Sequence, residues 1–409
     1  MTNFFVDEQT INTKTPRQLR IAAAIFFFIS GFGYATWASR IPTIKQQLHL
    51  NDAQLGTVLF ALPIGLMFTM PITSRLLSYY SSRGIMLIGS IFLSVVLVFI
   101  GFSNSMWQLI VALFFFGSAR NMMTLSINTQ GVAVQALYSK SIMATFHGLW
   151  TLAGFAGAVV GLVMVYFNIA PAYHFLFVSI ALVVFTLYFV NDTLYQKPVP
   201  QTRKPVFLMP DKYLLKFSLI CFASMACENT MYDWSALYFQ KEIHVERTTA
   251  TAAFVIYLVA MTTGRFFGDK VITRLGTKTV LKFSGIFIFS GLLMAVALPY
   301  LLTGVFGFIL VGFGVSCIVP MVFSLAGKSK NMSSSSALAS ISTIGYLGFV
   351  LVPPLVGFIA QNASLRMSFS VIALFGALIV YLVSKIGDEH VPNSTSIPEL
   401  QSGDQVNNQ

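Results

Sequence analysis

Long apolar runs are the feature that most limits what this chain can fold into. A helix needs about 20 mostly apolar residues to cross a hydrocarbon layer of about 30 Å. Twelve such runs are found, beginning near Arg20, Asp52, Gly84, Met106, Ser141, Tyr173, Tyr213, Thr248, Thr279, Thr303, Ser334 and Leu365. Only 10% of the residues are charged, against roughly 25% in a typical soluble domain. The sequence therefore predicts an all-α membrane protein with twelve transmembrane helices.

The connection between the sixth and seventh runs differs from the others in length and composition. Residues 192–212 contain four prolines with basic residues between them, whereas most other connections are short. The polar stretch 388–409 has a composition typical of disorder. The chain is thus predicted to have a cytosolic tail over 1–19, six-helix bundles over 20–191 and 213–387, a cytosolic linker over 192–212 and a disordered tail over 388–409.

The basic residues are distributed unevenly between the two predicted sides of the membrane. Of the 25 Lys and Arg residues, eighteen fall on the side that holds both termini and five on the other. Cytosolic loops are enriched in Lys and Arg, so both termini are predicted to be cytosolic. This bias accounts for the net charge of +11, and binding to nucleic acid is not expected because the basic residues form no patch interleaved with aromatic residues.

The two predicted bundles align with each other at an offset of 195 residues. The string QQLHLND from Gln46 falls on KEIHVER from Lys241, and Gly117 falls on Gly312. Repeats of this kind are common in transporters, which hold the substrate between the halves near the middle of the membrane. The predicted fold is therefore two pseudo-symmetric six-helix bundles, with chance similarity between apolar helices as the alternative.

The helix count, the central basic loop and the repeat resemble those of the major facilitator superfamily. Its signature loop is degenerate over Ser74–Arg83, but the copy over Asp269–Lys278 keeps Arg274, Gly276 and Lys278. The strings NTQGVAV from Asn128, FHGLW from Phe146 and DWSA from Asp233 resemble a bacterial branch near the fucose-permease-like sugar transporters. The resemblance implies a transporter in which helices 1, 4, 7 and 10 line a central cavity. We expect it to work as a monomer, in an inner (plasma) membrane of bacterial type.

Four charged residues lie inside predicted spans, although a charge at the bilayer centre costs about 2.5–3.5 kcal/mol on insertion scales. Arg120 lies in the fourth span, Glu228 and Asp233 in the seventh, and Arg265 at the end of the eighth. If the resemblance holds, the first three share the cavity. Our hypothesis is that Glu228 is the protonation switch, Arg120 controls when it binds a proton, and Asp233 assists. The alternative is a static ion pair.

Uncharged polar residues in the predicted cavity are candidates for substrate binding. The residues Gly117, Asn121, Thr124, Asn128 and Gly131 recur at helical spacing on the fourth span. Asn121, Thr124 and Asn128 are predicted to bind substrate, with hydrogen bonding between helices as an equal alternative. Trp37 and Trp234 are predicted to stack on it, although Trp37 also suits an anchor at the membrane interface.

Two further groups of polar residues lie towards the ends of helices. Arg265, Asp269 and Arg274 are predicted to form a cytosolic gate at the end of the eighth helix, with Arg265 beside Asp269. Arg40, at the outer end of the first helix, is interpreted either as a recruiter of anionic substrates or as a residue in outer water.

Together these features predict a secondary transporter that moves a small polar, sugar-like solute by alternating access, coupled to protons as a symporter. The alternatives are a proton-coupled exporter of amphipathic compounds and, in another class, a membrane sensor or enzyme. The chain carries no GxxxxGK[ST] nucleotide loop and no HExxH metal motif. We therefore expect neither an enzyme nor a cofactor or metal, and leave the substrate's identity open.

Overall fold

The computed structural model describes residues 14–138, 142–195, 209–326 and 334–386, and these are helical almost throughout. The helices of the first half are α1 (Pro16–Ala38), α2 (Ile41–Gln47), α3 (Asp52–Tyr79), α4 (Ser82–Gly101), α5 (Met106–Gln135), α6 (Met143–Tyr166) and α7 (Pro171–Phe189). Those of the second half are α8 (Lys212–Glu242), α9 (Arg247–Leu275), α10 (Thr277–Ala297), α11 (Leu301–Ser316), α12 (Ile318–Ala326), α13 (Ser334–Asn362) and α14 (Leu365–Ser384). Parts of the predicted tails and linker, namely residues 1–13, 196–208 and 387–409, lie outside the described residues.

The helices begin close to the predicted positions, and capping residues fix the first turn of several of them. The largest difference is at α1, which begins at Pro16 rather than near Arg20, since Thr15 and Gln18 form a capping box. Asn51 and Gln54 form the same arrangement at the start of α3. These side chains satisfy backbone N–H groups that the first helical turn leaves without partners.

Within the described residues, eleven stretches are long and apolar enough to span a membrane, and α11 and α12 together form one of them. The twelfth predicted span is α8, which has a more polar sequence than the others. It packs against α9, α13 and α14, and every residue from 223 to 239 is buried. A helix surrounded by protein does not need a lipid-compatible surface, so α8 can carry polar residues. The predicted all-α fold of twelve spans is confirmed.

The two halves are built by the same helix pairings. In the first half α1 packs on α6, α3 on α5, and α4 on α5 and α7, and the second half repeats these as α8 on α13, α9 on α11, and α10 on α11 and α14. The halves meet along two seams, α3 against α13 and α6 against α9.

Backbone details repeat at the predicted offset of 195 residues. Gly117 of α5 packs on the carbonyl of Leu62, and Gly312 of α11 packs on that of Tyr257, where an added Cβ would lie 2.7 Å from the oxygen. Both contacts admit only glycine without a backbone shift. His49 and His244 also match, since each adopts a left-handed conformation with φ of 51° and 60°. The internal repeat is therefore a repeat of structure.

Five residues at one end of the bundle join the halves, and we call them the clamp: Lys45, Gln46, Asp52, Lys241 and Arg247. Asp52 forms ion pairs with Lys45 at 2.8 Å and Lys241 at 2.6 Å, while Arg247 donates to Gln46. Because 46 and 52 become 241 and 247 on adding 195, the two contacts that cross between halves are related by the pseudo-two-fold axis. We call this the clamp end and the opposite end, where α3, α9 and α13 have their other termini, the basic end.

Candidate functional site

A polar cluster occupies the middle of the bundle, where the two halves face each other. The rings of Tyr34 on α1 and Tyr232 on α8 lie 5.1 Å apart between their centroids. The guanidinium of Arg120 on α5 stacks on the Tyr34 ring, with Cζ 3.6 Å from its centroid. A guanidinium held over an aromatic face is stabilised by the ring's electron distribution, which is how this site retains a charge that forms no close ion pair among the described residues.

Glu228, which is buried, forms an ion pair with the partly buried Arg265 within this cluster. Arg265 Nη2 lies 3.2 Å from Glu228 Oε1. Arg265 Nη1 donates to Thr151 Oγ1 at 2.6 Å, and its Nε donates to the carbonyl oxygen of Ser316 at 3.3 Å. Thr151 belongs to α6 in the first half, whereas Glu228, Arg265 and Ser316 belong to the second. One guanidinium therefore joins the two halves and neutralises a buried carboxylate.

The structure pairs these groups differently from the expected arrangement. Arg265, rather than Arg120, contacts Glu228, and it does so instead of pairing with Asp269. Asp269 and Arg274 are exposed towards the basic end of α9, so the three predicted gating residues do not form one cluster. The physical reason is that an enclosed carboxylate attracts the guanidinium more strongly than a solvated one four residues along the helix.

Asp233 lies on α8, little more than one turn beyond Glu228 and within the same cluster. It accepts a hydrogen bond from Asn229 Nδ2 at 3.0 Å. Both Arg120 and Asp233 act electrostatically on Tyr34, and Arg120 acts on Asp233. The cluster thus contains two carboxyl groups in different settings: Glu228 in an ion pair, and Asp233 bonded to a neutral amide.

The comparisons with known proteins agree with this architecture. Residues 23–337 match the sequence profile of the Major Facilitator Superfamily. The chain belongs to that superfamily. An uncharacterised MFS-type transporter of Yersinia pestis is 31% identical over 369 residues, which cover 90% of this chain and 95% of the relative.

Two solved transporters share the superfamily fold with this chain. The nucleoside transporter NupG has a TM-score of 0.71 at 14% identity, with 90% of this chain and 98% of NupG covered. A bacterial homolog of the human lysosomal transporter Spinster, in an inward-facing and occupied conformation, has a TM-score of 0.66 at 13% identity, with 91% and 97% covered. At these identities the likeness concerns the fold alone.

Membership in the superfamily makes the chain an integral membrane transporter of small molecules and not an enzyme. The resemblance to the fucose-permease-like branch stays a prediction. The described residues contain no group of three or more His, Cys, Asp or Glu able to hold a metal ion.

The two tryptophans that are predicted to bind substrate, Trp37 and Trp234, are both buried. Trp37 is 1% exposed and Trp234 is fully buried. Trp37 is therefore an interior residue rather than an anchor at the membrane interface. Neither indole N–H has a hydrogen-bond partner in the described part of the chain. Buried indoles usually find a partner, so both N–H groups are unsatisfied donors in this conformation.

The polar stripe on α5 is divided between packing and possible binding. Its end residues pack closely, Gly117 against the α3 backbone and Gly131 against Met143. Asn121, in the middle, is buried, and its Oδ1 has no hydrogen-bond partner among the described residues. The other two candidates, Thr124 and Asn128, are half-buried. The two ends of the stripe thus serve packing, and its middle residues remain candidates for substrate binding.

Sequence reasoning missed three members of the central cluster, namely Tyr34, Thr151 and Tyr232. Tyr34 lies one turn before Trp37, and Tyr232 directly precedes Asp233, so their position beside residues already selected was an available signal. Thr151 gave no such signal, because a single threonine in an apolar helix is common and usually bonds its own backbone, as Thr151 Oγ1 also does with His147.

Proposed function

We propose that this superfamily member is a secondary active transporter that imports a small polar solute together with protons, by alternating access. The observation that carries the proposal is the position of Arg265, which contacts Glu228 in its own half and Thr151 in the other at the middle of the bundle. A group that binds a proton at this place is positioned to change how the halves contact each other.

The coupling step follows from the energetics of a buried ion pair. A charge enclosed in a low-dielectric interior is stable only while its partner is also charged. Protonating Glu228 removes the partner of Arg265, so the guanidinium gains by moving towards water or substrate. The contact with Thr151 would then weaken, and the α6–α9 seam would open. In this proposal Asp233 and Arg120 assist by holding a second carboxyl group and a positive charge in the same cluster.

The proposed substrate is a ring-shaped solute with several hydroxyl groups, such as a sugar or a nucleoside. Aromatic faces suit one side of such a ring, and buried groups without partners suit its hydroxyls. The proposed binding residues are Trp37, Asn121, Thr124, Asn128 and Trp234. A nucleoside enters the candidate set because NupG is named as a nucleoside transporter.

In the proposed orientation both termini are in the cytosol of a bacterium and the clamp end faces outward. The support is the predicted charge bias, with the smaller group of basic residues, including Arg40, Lys45 and Arg366, at the clamp end. Arg265 would gate the cavity centrally, while Asp269 and Arg274 would act at the cytosolic end.

An exporter of amphipathic compounds is a second candidate. The ring of Tyr232 lies 5.6 Å from that of Phe254 and 6.3 Å from that of Tyr257, measured between centroids. An aromatic wall of this kind suits apolar cargo. This candidate predicts that hydrophobic cations, rather than sugars or nucleosides, stabilise the purified protein.

The test begins with a ligand screen and ends with transport. Purified protein is heated with sugars, nucleosides and hydrophobic cations, since a ligand at 100 times its Kd stabilises by about 2.7 kcal/mol. Stabilising compounds are then assayed in proteoliposomes with an imposed pH gradient. We expect Glu228→Gln to lose gradient-driven accumulation while retaining exchange of labelled for unlabelled substrate.

The matched control is Glu242→Gln, which removes a carboxylate from the same helix. Glu242 pairs with Arg366 at 3.1 Å near the clamp end, away from the central cluster, so this variant should accumulate substrate normally. Normal accumulation by Glu228→Gln would refute the coupling role of Glu228.

A further inference from the structure

A second buried polar site lies in the first half, near the clamp end and apart from the central cluster. Arg40, between α1 and α2, is 2% exposed. Its Nη2 donates to the carbonyl of Ile169 at 2.5 Å. Its Nε and Nη1 are buried without a hydrogen-bond partner among the described residues. The sequence-based interpretation that Arg40 lies in outer water is therefore wrong.

His174 faces the same place from the first turn of α7. It is fully buried, and both ring nitrogens lack hydrogen-bond partners in the described part of the chain. Its electrostatic neighbour is Arg40. Gly161 of α6 lies beside both Ser39 and His174, since a Cβ added there would contact Ser39 Oγ and lie 3.8 Å from His174 Cε1. Ser39, Arg40 and His174 thus lie close together where α1, α6 and α7 meet.

Among the described residues, Arg40 forms no ion pair with a carboxylate. Burial, together with repulsion from the nearby Arg247 cation, lowers the pKa of Arg40 to about 10. Arg40 therefore remains protonated at neutral pH. The nearby carboxylates have other partners: Asp52 is held by Lys45 and Lys241, and Glu242 by Arg366.

We propose that Arg40 and His174 form a buried binding site for a small inorganic anion of the halide type. An enclosed guanidinium needs an opposite charge, because an unpaired buried charge is strongly destabilising. The available donors are Arg40 Nε, Arg40 Nη1 and one imidazole N–H. Three donors suit a monatomic anion, whereas phosphate or a substrate carboxylate has several oxygen atoms to satisfy and would need more donors.

The bound anion would link the segment before α2 to the first turn of α7. It would neutralise Arg40 without contributing to the substrate site, so the proposal is independent of the proposed transport mechanism. It also explains how Arg40 tolerates burial beside Arg247, which otherwise repels it.

The experiment compares thermal unfolding of the full-length purified protein in sodium chloride and in sodium gluconate at equal ionic strength and pH. We expect the unfolding temperature to rise with the logarithm of chloride concentration above its Kd. Arg40→Gln should lose this rise, and His174→Gln should reduce it. Arg17→Gln, which changes an exposed arginine at the start of α1, should keep it.

Two results would overturn the proposal. The first is equal stability of the wild-type protein in chloride and gluconate, and the second is an unchanged chloride response in Arg40→Gln. If Arg40→Gln does not fold, crystals of the wild-type protein soaked in bromide decide the question. An anomalous peak within hydrogen-bond distance of Arg40 Nε supports the site, and the lack of a peak there refutes it.

Discussion

The two seams between the halves occupy equivalent positions in the pseudo-symmetric fold, yet they are built differently. Along α3 and α13 the backbones touch: a Cβ added to Gly56 would lie 2.7 Å from the Pro353 carbonyl oxygen, and one added to Gly357 would lie 2.6 Å from that of Asp52. Along α6 and α9 the helices also pack on each other, and side chains add polar contact there, including the hydrogen bond from Arg265 to Thr151 at 2.6 Å.

This difference indicates different roles in a moving transporter. Close backbone packing depends on shape, so it does not respond to the addition of a proton. A guanidinium shared between a carboxylate and a hydroxyl does respond, because protonating the carboxylate changes the charge balance around it. In the proposed mechanism the α3–α13 seam is a seal at the clamp end, and the α6–α9 seam is the place where proton binding would alter the contact.

The largest expected effect comes from breaking the polar seam with Arg265→Gln. This change leaves Glu228 buried without its partner, and removing one member of a buried ion pair typically costs about 3–5 kcal/mol. We expect a corresponding loss in the free energy of unfolding, measured by denaturation in mixed micelles. The control Lys270→Gln, at an exposed position on the same helix, should change it by less than about 0.5 kcal/mol.

The double variant Arg265→Gln/Glu228→Gln sharpens the same comparison. Removing both charges eliminates the unpaired carboxylate, so most of the lost stability should return. Proton-driven accumulation should remain absent, because no group at the seam then changes charge. A double variant as unstable as Arg265→Gln alone would show that packing, rather than charge, holds this seam.

The fold was largely predictable because the features that determine it are local or periodic in the sequence. Span length, capping residues such as Thr15 and Asn51, and the register of the repeat can all be read along the chain. The offset of 195 residues correctly aligned Gly117 with Gly312, and the structure shows the same packing at both. Only α8 departs from the simple hydropathy rule, since its neighbours are helices rather than lipid.

The pairing inside the site was less predictable because it depends on helix rotation. The sequence contained two intramembrane arginines and gave no reason to prefer Arg265 over Arg120 as the partner of Glu228. Arg120 faces the Tyr34 ring instead, an interaction that a spacing argument does not reveal. Residue type indicated which groups belong to the interior, but only the arrangement of helices shows which of them touch.

A smaller effect is expected from Gly56→Ala, which tests the close-packed seam. The new methyl group would press on the Pro353 carbonyl, and overpacking of this kind typically costs about 1–3 kcal/mol. The matched control on the other seam is Gly148→Ala, whose Cβ would meet only the Phe266 ring at 3.5 Å, an ordinary contact. Thermal unfolding should show a loss for Gly56→Ala.

For Gly148→Ala the expected result is no loss, or a gain of up to about 1 kcal/mol, because alanine favours a helix more than glycine does. Equal destabilisation by both substitutions would mean that the two seams are packed alike, and the distinction between a seal and a responsive contact would fail.

The smallest effect is expected at the clamp, which closes the end of the α3–α13 seam. Lys241 is 43% exposed in its pair with Asp52, whereas the side chain of Lys45 is 11% exposed. A double-mutant cycle of Asp52→Asn with Lys241→Gln should give a coupling of about 0.2–1 kcal/mol. This coupling energy should decrease as sodium gluconate is raised from about 0.1 M to about 1 M, because the Debye length drops from about 10 Å to about 3 Å. The cycle with Lys45→Gln should give a larger coupling with less salt dependence, since that pair is enclosed. Equal couplings with equal salt dependence would mean that burial does not distinguish the two pairs, and that closure of this end rests on the Gly56–Gly357 contact.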